Sequence, residues 1–376
     1  MSPYPWWLCT VMRWLIESVS LMHPITIQRI ARVDAQLTAE IGRIMKDEGY
    51  APYVVERYLI LFGEQRTLDI MKAFQRAPVP SINVNTCNTT VKALRERLEA
   101  KHFHLEQVPW CSTGFWLYDA RDYERKHDPG SLADFAMAPG ATHEYLLGLY
   151  SLQGASSMIP PLLLDPKPGE QVLDMAAAPG SKFVQIGQMM QNKGLLVGVE
   201  RSLDRIPALK ANVQRCGVTN SVIVCNDARH LGKQFQGFDK VLLDAPCTGE
   251  GLMGSDPSRK NSRSVGDIET MMNIQLQLLE KAMGLVKPGG RIVYSTCSLA
   301  PEEDEHVVNE VLKKHKNFKI IPPPRSIASH FEPGMVKAFQ VKFREDLANA
   351  VRVFPYNHPA RPEGFFAAIL ERHGTR

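Results

Sequence analysis

Apolar residues recur at helical spacing between positions 26 and 73 of the chain. Two groups form this pattern, and they are Ile30, Val33, Leu37, Ile41 and Ile44, followed by Val54, Val55, Leu59 and Phe62. Gly49 and Gly63 interrupt it, as glycines do where helices end. The pattern predicts a small helical bundle.

A mixed pattern of strand and helix follows. A strand-like run at residues 81–84 precedes a helix with its N-cap at Thr90, and further strand-like segments lie near Leu105 and at residues 115–118. This order predicts a compact α+β unit.

The same segment carries basic and aromatic side chains that suit a nucleic-acid partner. They are Arg76, Lys92, Arg95, Arg97, Lys101, Trp110 and Trp116. Basic groups would contact phosphates, and tryptophans would stack on bases. Charged residues on a helix face also occur because that face meets water, and the sequence leaves both interpretations open.

Residues 119–140 are charged and rich in turn-forming residues, which indicates a linker. We therefore expect a poorly defined N-terminal extension at residues 1–22, a helical and α+β appendage at 23–135, and a larger domain at 136–376. Arg13 and Glu17 interrupt the apolar run of the extension before it reaches the roughly 20 residues of a membrane span. It also lacks the features of a signal peptide.

Beyond the linker, short apolar runs alternate with helical stretches. The runs occupy residues 171–175, 195–199, 222–225, 240–243 and 291–295. Runs of this kind are typical of strands that are buried on both faces of a sheet and separated by helices. The pattern predicts an α/β fold with a doubly wound, Rossmann-like parallel sheet.

Composition refines this picture only slightly. The net charge of +4 is compatible with a polyanionic partner without requiring one. The seven cysteines are an odd number and show no CxxC pairing, so we expect free thiols in a cytoplasmic protein without a metal site.

Each predicted strand is followed by residues that can bind or react. They are Asp174 with the loop at 176–182, then Glu200, Asp227, residues 244–247 and residues 296–298. Because the carboxyl ends of parallel strands share one edge of a sheet, these five places converge on one crevice.

The first loop consists of Ala176, Ala177, Ala178, Pro179, Gly180, Ser181 and Lys182. Its small residues let a ligand approach the backbone at a helix start, but it lacks the G-x-G-x-x-G spacing that NAD prefers. Glu200 is placed to accept hydrogen bonds from ribose hydroxyls and Asp227 from an adenine amino group, as in dinucleotide and adenosylmethionine sites. Strand-end acids also often cap the next helix, and that alternative stays open.

Cys247 and Cys297 follow strands that are neighbours, about 4.8 Å apart, in the common order of such sheets. Both would then flank one substrate beside Asp244. Methylation at C5 of cytosine needs such a pair, because C5 becomes nucleophilic only after a thiolate adds to C6. Asp244 would hydrogen-bond the N3/N4 edge of the base. Position alone does not decide which cysteine attacks.

A series of motifs resembles the Nol/Nop/Sun family of RNA cytosine-5 methyltransferases over about two thirds of the chain. The motifs are LQ at 152–153 with SSM at 156–158, AAAPGSK at 176–182, DAPCTGEG at 244–251, DPSRK at 256–260, STCS at 295–298 with acids at 302–305, RVFP at 352–355 and GFF at 364–366. The resemblance implies S-adenosylmethionine as the cofactor and RNA as the partner.

The resemblance also implies roles for individual residues. It makes Cys297 the nucleophile and Cys247 the residue that helps to release the covalent adduct, with Asp244 and Lys182 as further catalytic residues. It places residues 176–182 with Glu200, Arg205, Asp227 and Asp244 around the cofactor and target base. Two residues depart from the family pattern, since Phe183 stands where Thr is usual and Ala155 where Pro is common.

Two other functions agree less well with the motifs. Methylation of an exocyclic amine typically uses an Asn- or Asp-Pro-Pro-aromatic loop, whereas residues 244–247 read DAPC. A decayed RNA-binding scaffold is disfavoured because both cysteines and the four strand-end acids are retained. The short appendage resembles the compact archaeal and bacterial members that act on tRNA. We therefore expect a monomer acting on tRNA, with rRNA as the alternative substrate.

Overall fold

The computed structural model of the protein describes residues 35–120 and 137–373. The predicted extension at 1–22, the apolar positions Ile30 and Val33, and most of the predicted linker lie outside these ranges. The chain divides into two compact units after Lys72.

The first unit contains two described helices, α1 (Ala35–Asp47) and α2 (Pro52–Ala73), the second of which reaches one residue past the division. Ile41, Ile44 and Phe62 are buried, as their helical spacing predicts. Gly63 has a φ of 76°, which breaks the helical geometry inside α2 at the predicted interruption.

The second unit begins with a four-stranded antiparallel sheet. Its elements are β1 (Ser81–Val84), α3 (Val91–Glu99), β2 (Phe103–Gln107), β3 (Gly114–Asp119) and β4 (Tyr150–Leu152). The strand order is β2-β3-β1-β4, and Thr90 caps α3 by accepting from the Ala93 N–H at 3.1 Å.

The sheet includes a strand from beyond the predicted linker. Ile82 of β1 pairs with Leu152 of β4, so residues on both sides of position 135 form one sheet. The compact units therefore divide at residue 72, whereas the sequence predicts a division after residue 135. The difference arises because the segment after the linker returns to pair with β1.

The two tryptophans of this region are part of the protein core. Trp116 is fully buried and stacks on His358, with ring centroids 4.1 Å apart, and Trp110 packs edge-on against Phe331. Their interpretation as stacking surfaces for bases is therefore wrong. Of the basic residues, Arg97 and Lys101 pair with the buried carboxylate of Glu144.

The predicted doubly wound sheet is present, and its five parallel strands follow the predicted order. They are β5 (Gln171–Asp174), β6 (Leu195–Glu200), β7 (Ser221–Cys225), β8 (Phe238–Asp244) and β9 (Val286–Thr296). Their spatial order is β9-β8-β5-β6-β7, so the order reverses between β5 and β8, where such folds bind ligands.

Antiparallel strands extend the sheet to nine strands within residues 35–120 and 137–373. They are β10 (Phe318–Ile321), β11 (Glu332–Pro333), β14 (Val351–Val353) and β15 (Phe365–Arg372), while β12 (Lys337–Ala338) and β13 (Val341–Lys342) form a separate pair. β15 pairs with β9, matching Phe366 with Thr296.

Helices connect and cover these strands. They are α4 (His143–Leu146), α5 (Ile159–Leu164), α6 (Ser181–Met189), α7 (Ile206–Cys216), α8 (Val265–Leu285), α9 (Glu305–Lys314) and α10 (Arg325–Ala328). α6 begins directly after the loop that follows β5, so the sheet and α6 together fix that loop.

Phe183, which departs from the family pattern, is a core residue. Its side chain is fully buried against Gly198 of β6, where a Cβ atom would lie 2.6 Å from the ring. The larger side chain is therefore accommodated because residue 198 has no side chain.

Candidate active site

The predicted site residues lie at the carboxyl ends of the parallel strands. Asp174 ends β5, Glu200 ends β6, Asp227 follows β7 and Asp244 ends β8. Asp244 is matched in register with Ser295 of β9, so the cysteine loops that follow β8 and β9 are neighbours, as predicted.

The two cysteines of these loops are in contact. The Sγ atoms of Cys247 and Cys297 lie 3.0 Å apart, and both are free, half-buried thiols. The thiol contact with Cys297 and burial together raise the pKa of Cys247 well above its usual value. Cys247 is therefore protonated at neutral pH while Cys297 faces it.

Lys182, in the first turn of α6, links the loop after β5 to the end of β8. Its Nζ lies 2.8 Å from Asp244 Oδ2, while Asp244 Oδ1 accepts from Ser295 Oγ at 2.8 Å. Burial lowers the pKa of Lys182, but attraction to Asp244 and Cys297 outweighs it, so this pKa is raised. Lys182 is thus a cation beside Asp244 and within electrostatic reach of Cys297.

Three of the strand-end acids share one local hydrogen-bond pattern. Each accepts from the backbone N–H two residues further on: Asp174 from Ala176 at 3.1 Å, Glu200 from Ser202 at 2.8 Å and Asp227 from Arg229 at 2.9 Å. Of the three, Asp227 alone caps a helix, the short 3₁₀ helix at Ala228–His230, whereas α6 and α7 have Gly180 and Arg205 at their N-cap positions without a side-chain cap. The capping alternative therefore holds for Asp227, and the other two hydrogen bonds close local turns. In Asp174 and Glu200 the backbone N–H occupies one carboxylate oxygen, so it does not exclude ligand binding at the other.

Arg205 connects Glu200 to the loop after β5. Its Nη1 lies 3.4 Å from Glu200 Oε2, and its Nη2 donates to the Ala178 carbonyl. Pro179, which adjoins Ala178, is exposed, whereas Gly180 is buried against Leu209 with a φ of 113°. Arg205 thus orients the acid and the loop together.

Asp227 has a different environment. The Arg229 guanidinium binds both oxygens of Asp227, with Nε at 3.0 Å from Oδ1 and Nη2 at 2.6 Å from Oδ2, and lowers the pKa of Asp227 to about 2. Asp227 is therefore a permanent carboxylate, already paired with a cation within its own turn.

Asp174 is the most deeply buried of the acids. Burial raises its pKa to about 7, and the negative charges of Asp244 and Glu200 add to this effect. A site with clustered carboxylates suits a cationic ligand and disfavours a pyrophosphate. This charge pattern disfavours NAD as the cofactor, as does the absence of a G-x-G-x-x-G motif from the loop at 176–182.

Two nearby residues had no role of their own predicted from the sequence. Ser295 completes the contacts of Asp244, and Glu363 approaches Lys182 from the segment before β15. Burial raises the pKa of Glu363, and the Lys182 cation opposes that effect. Glu363 directly precedes the GFF motif at 364–366, and this motif was the sequence signal that could have indicated it.

The fold and this site define a class of Rossmann-like protein that has two contacting cysteines at the ligand-binding edge of its sheet. The model of the family described as 16S rRNA methyltransferase RsmB/F matches residues 161–371, and that of the N-terminal domain of 16S rRNA methyltransferase RsmF matches residues 52–155. The chain belongs to this methyltransferase family, which confirms the resemblance seen in the motifs.

Individual relatives agree with this assignment. Ribosomal RNA small subunit methyltransferase F of Vibrio campbellii is 38% identical over 85% of this chain and 63% of its own length. The 25S rRNA (cytosine-C(5))-methyltransferase nop2 of Schizosaccharomyces pombe is 33% identical over 86% of this chain and 51% of its own. The chain therefore spans less than two thirds of the length of these relatives.

A solved structure also matches. The methyltransferase homolog protein from Pyrococcus horikoshii is 33% identical, with a TM-score of 0.76, and the match covers 90% of this chain and all of that one. The relatives above are named for ribosomal RNA, so they do not support the expected tRNA substrate. Among the described residues, no helix is long and apolar enough to span a membrane.

The cofactor of this family is S-adenosylmethionine, and the site fits it. Its sulfonium and ammonium groups are cationic, which suits the carboxylates that raise the pKa of Asp174. Its ribose hydroxyls need hydrogen-bond acceptors, and the Glu200 carboxylate is such an acceptor. Arg205 Nη1 lies 3.4 Å from Glu200 Oε2 and holds this carboxylate in place.

Proposed function

We propose that the protein transfers a methyl group from S-adenosylmethionine to C5 of a cytosine in ribosomal RNA, with Cys297 as the covalent nucleophile. The observation that carries this proposal is the 3.0 Å separation of the Cys247 and Cys297 sulfurs beside the Lys182–Asp244 ion pair. Cytosine C5 chemistry needs a nucleophile and a second group that acts after methyl transfer, and this arrangement supplies both.

The first step uses Cys297. Its thiolate adds to C6 of cytosine, a C–S bond forms, and the electron pair of the C5–C6 double bond becomes available at C5. The Lys182 cation attracts the negatively charged sulfur during attack, and the Asp244 carboxylate, paired with Lys182, accepts a hydrogen bond from the exocyclic amine of the base. Bound S-adenosylmethionine supplies the electrophilic methyl group.

The second step uses Cys247. After methyl transfer, the Cys247 sulfur, having released its own proton to solvent, takes the C5 proton, the C5–C6 double bond re-forms, and the Cys297 thiolate is expelled. The contact with Cys297 is the main reason that the pKa of Cys247 is raised. Adduct formation removes the negative charge from Cys297, so Cys247 loses its proton more easily when a base for the C5 proton is required.

The loop at 176–182 and the strand-end acids hold the cofactor in this proposal. Glu200 accepts from the ribose hydroxyls, and Asp174 and Asp244 face the cationic groups. Asp227 accepts from the adenine amine through a carboxylate that Arg229 keeps ionised. Arg205 fixes Glu200 relative to Ala178.

Bisulfite sequencing tests the substrate directly. Total RNA from a strain lacking the gene should show at least one ribosomal cytosine that has lost its protection from deamination, and the wild-type gene should restore it. The Cys297→Ala gene serves as the matched control and should not restore it. If a tRNA cytosine loses its protection while ribosomal RNA is unchanged, the proposed ribosomal RNA substrate is wrong and cytosine C5 methylation stands.

A further inference from the structure

Glu303 is a fully buried carboxylate that joins the two cysteine loops. Its Oε1 accepts from the Thr248 backbone N–H at 2.8 Å, and its Oε2 accepts from Ser298 Oγ at 2.6 Å and from Thr248 Oγ1. Thr248 directly follows Cys247, and Ser298 directly follows Cys297. One side chain therefore holds the next residue after each cysteine.

Other contacts extend this arrangement. Gln275 of α8 donates to Glu303 Oε1 at 3.1 Å and to the Pro246 carbonyl at 2.8 Å, so the residue before Cys247 is held as well. Asp304 accepts from Thr296 Oγ1 at 2.5 Å and pairs with buried Arg352 at 3.1 Å. Both neighbours of each cysteine are thus fixed by buried polar contacts.

We propose that Glu303 is a positioning residue that sets the separation of the Cys247 and Cys297 sulfurs by anchoring Thr248 and Ser298 to one carboxylate. The effect of Glu303 on methyl transfer rests on the proposed function, whereas its effect on the separation of the two sulfurs does not. Misplacement by about 1 Å costs on the order of a hundredfold in rate at sites of this kind. The carboxylate also contributes to the raised pKa of Cys247, after Cys297 and burial.

Disulfide formation between the two cysteines measures their separation without RNA or cofactor. The oxidant diamide is added to the reduced protein, and peptide mapping follows the Cys247–Cys297 crosslink. Because Glu303→Gln also changes thiol ionisation, each rate is divided by the iodoacetamide alkylation rate of Cys247 in the same variant. We expect the normalised rate to fall about ten- to a hundredfold in Glu303→Gln.

Matched variants keep the result interpretable. Glu269→Gln changes an exposed glutamate of α8 and should crosslink as the wild type does. Thr248→Val removes the hydroxyl donor and should slow crosslinking, whereas Thr248→Ser keeps it and should not. This pair decides the matter if Glu303→Gln fails to fold, which its melting temperature shows.

The result that would overturn the proposal is a folded Glu303→Gln protein, or a Thr248→Val protein, with the crosslinking rate of the wild type. Absence of methyl transfer in the wild type would overturn the proposed function and leave this result unchanged. The two failures are therefore distinguishable.

Discussion

The Sγ atoms of Cys247 and Cys297 lie 3.0 Å apart although 50 residues separate them in the chain. Their surroundings differ in charge. Cys297 interacts with the Lys182 cation, whereas the pKa of Cys247 is raised by its contact with Cys297, by burial and by the carboxylates of Glu303 and Asp244. The raised pKa keeps Cys247 a thiol before attack, which is compatible with the part in adduct release that the family motifs imply for it.

Cys297→Ala should form no covalent complex with RNA that contains 5-fluorocytosine, because the attacking sulfur is gone. Fluorine at C5 cannot leave as a proton, so the wild-type adduct persists on a denaturing gel. Cys225→Ala provides the control, since Cys225 is an exposed free thiol at the end of β7. Trapping by Cys297→Ala at the wild-type level would show that another group attacks.

The Cys247→Ala variant should form the covalent adduct with RNA normally and release the RNA slowly, because the C5 proton has lost its acceptor. Protein linked to methylated RNA would then accumulate as a heat-stable, slower band on a denaturing gel. Adding Cys297→Ala should erase the band. If Cys297→Ala accumulates the adduct and Cys247→Ala does not, the two roles are exchanged.

Asp227→Ala should weaken S-adenosylmethionine binding by about ten- to a hundredfold, as loss of a hydrogen bond from a charged group predicts. Calorimetry measures the dissociation constant. Asp165→Ala is the control, because Asp165 precedes β5 and does not lie at the carboxyl end of a parallel strand. An unchanged affinity would leave Asp227 with only its structural role of holding Arg229.

The raised pKa of Asp174 should make the free energy of unfolding depend on pH. Its pKa is about 7 in the folded protein and 3.8 ordinarily, so between these values the folded protein binds more protons than the unfolded chain. The free energy of unfolding contributed by Asp174 therefore decreases as pH rises from about 4 to 7, by about 1.4 kcal/mol per pH unit.

Asp174→Asn cannot ionise, so it should gain stability relative to the wild type as pH rises through that window. Urea unfolding without cofactor at about pH 5 and about pH 8 measures the difference. Asp204→Asn, at an exposed acid, should follow the wild type. Parallel curves for Asp174→Asn and the wild type would place the pKa of Asp174 near its ordinary value.

Gly198→Ala should destabilise the protein by about 1–3 kcal/mol, because the added Cβ would lie 2.6 Å from the Phe183 ring. Gly284→Ala is the matched control, since it lies in α8 with nothing within 4 Å of an added Cβ. It should stabilise by up to about 1 kcal/mol. Equal effects of the two changes in urea unfolding would contradict the packing argument.

The sequence predicted most of the fold and the grouping of the site. Apolar runs located the five parallel strands, and the rule that their carboxyl ends share one edge placed Asp244 beside the two cysteines. These features follow from local patterns and from a common strand order, so they needed no knowledge of side-chain positions.

The features that the sequence did not predict depend on contacts between distant segments. Trp116 is buried because His358, far along the chain, stacks on it. β4 joins the first sheet through pairing with β1 across the predicted linker. Glu303 belonged to a recognised run of acids, but its contacts with Thr248 and Ser298 required the packed loops.

The pairing of β15 with β9 affects when the site forms during synthesis. Thr296, beside Cys297, is matched with Phe366, and the Phe365 ring lies 5.5 Å from Lys182 Nζ. A nascent chain that still holds residues 365–372 in the ribosome has both cysteines but leaves one edge of β9 without its partner. In the proposed mechanism, the site is therefore complete only after β15 has emerged from the ribosome, which happens after Cys297 has been synthesised.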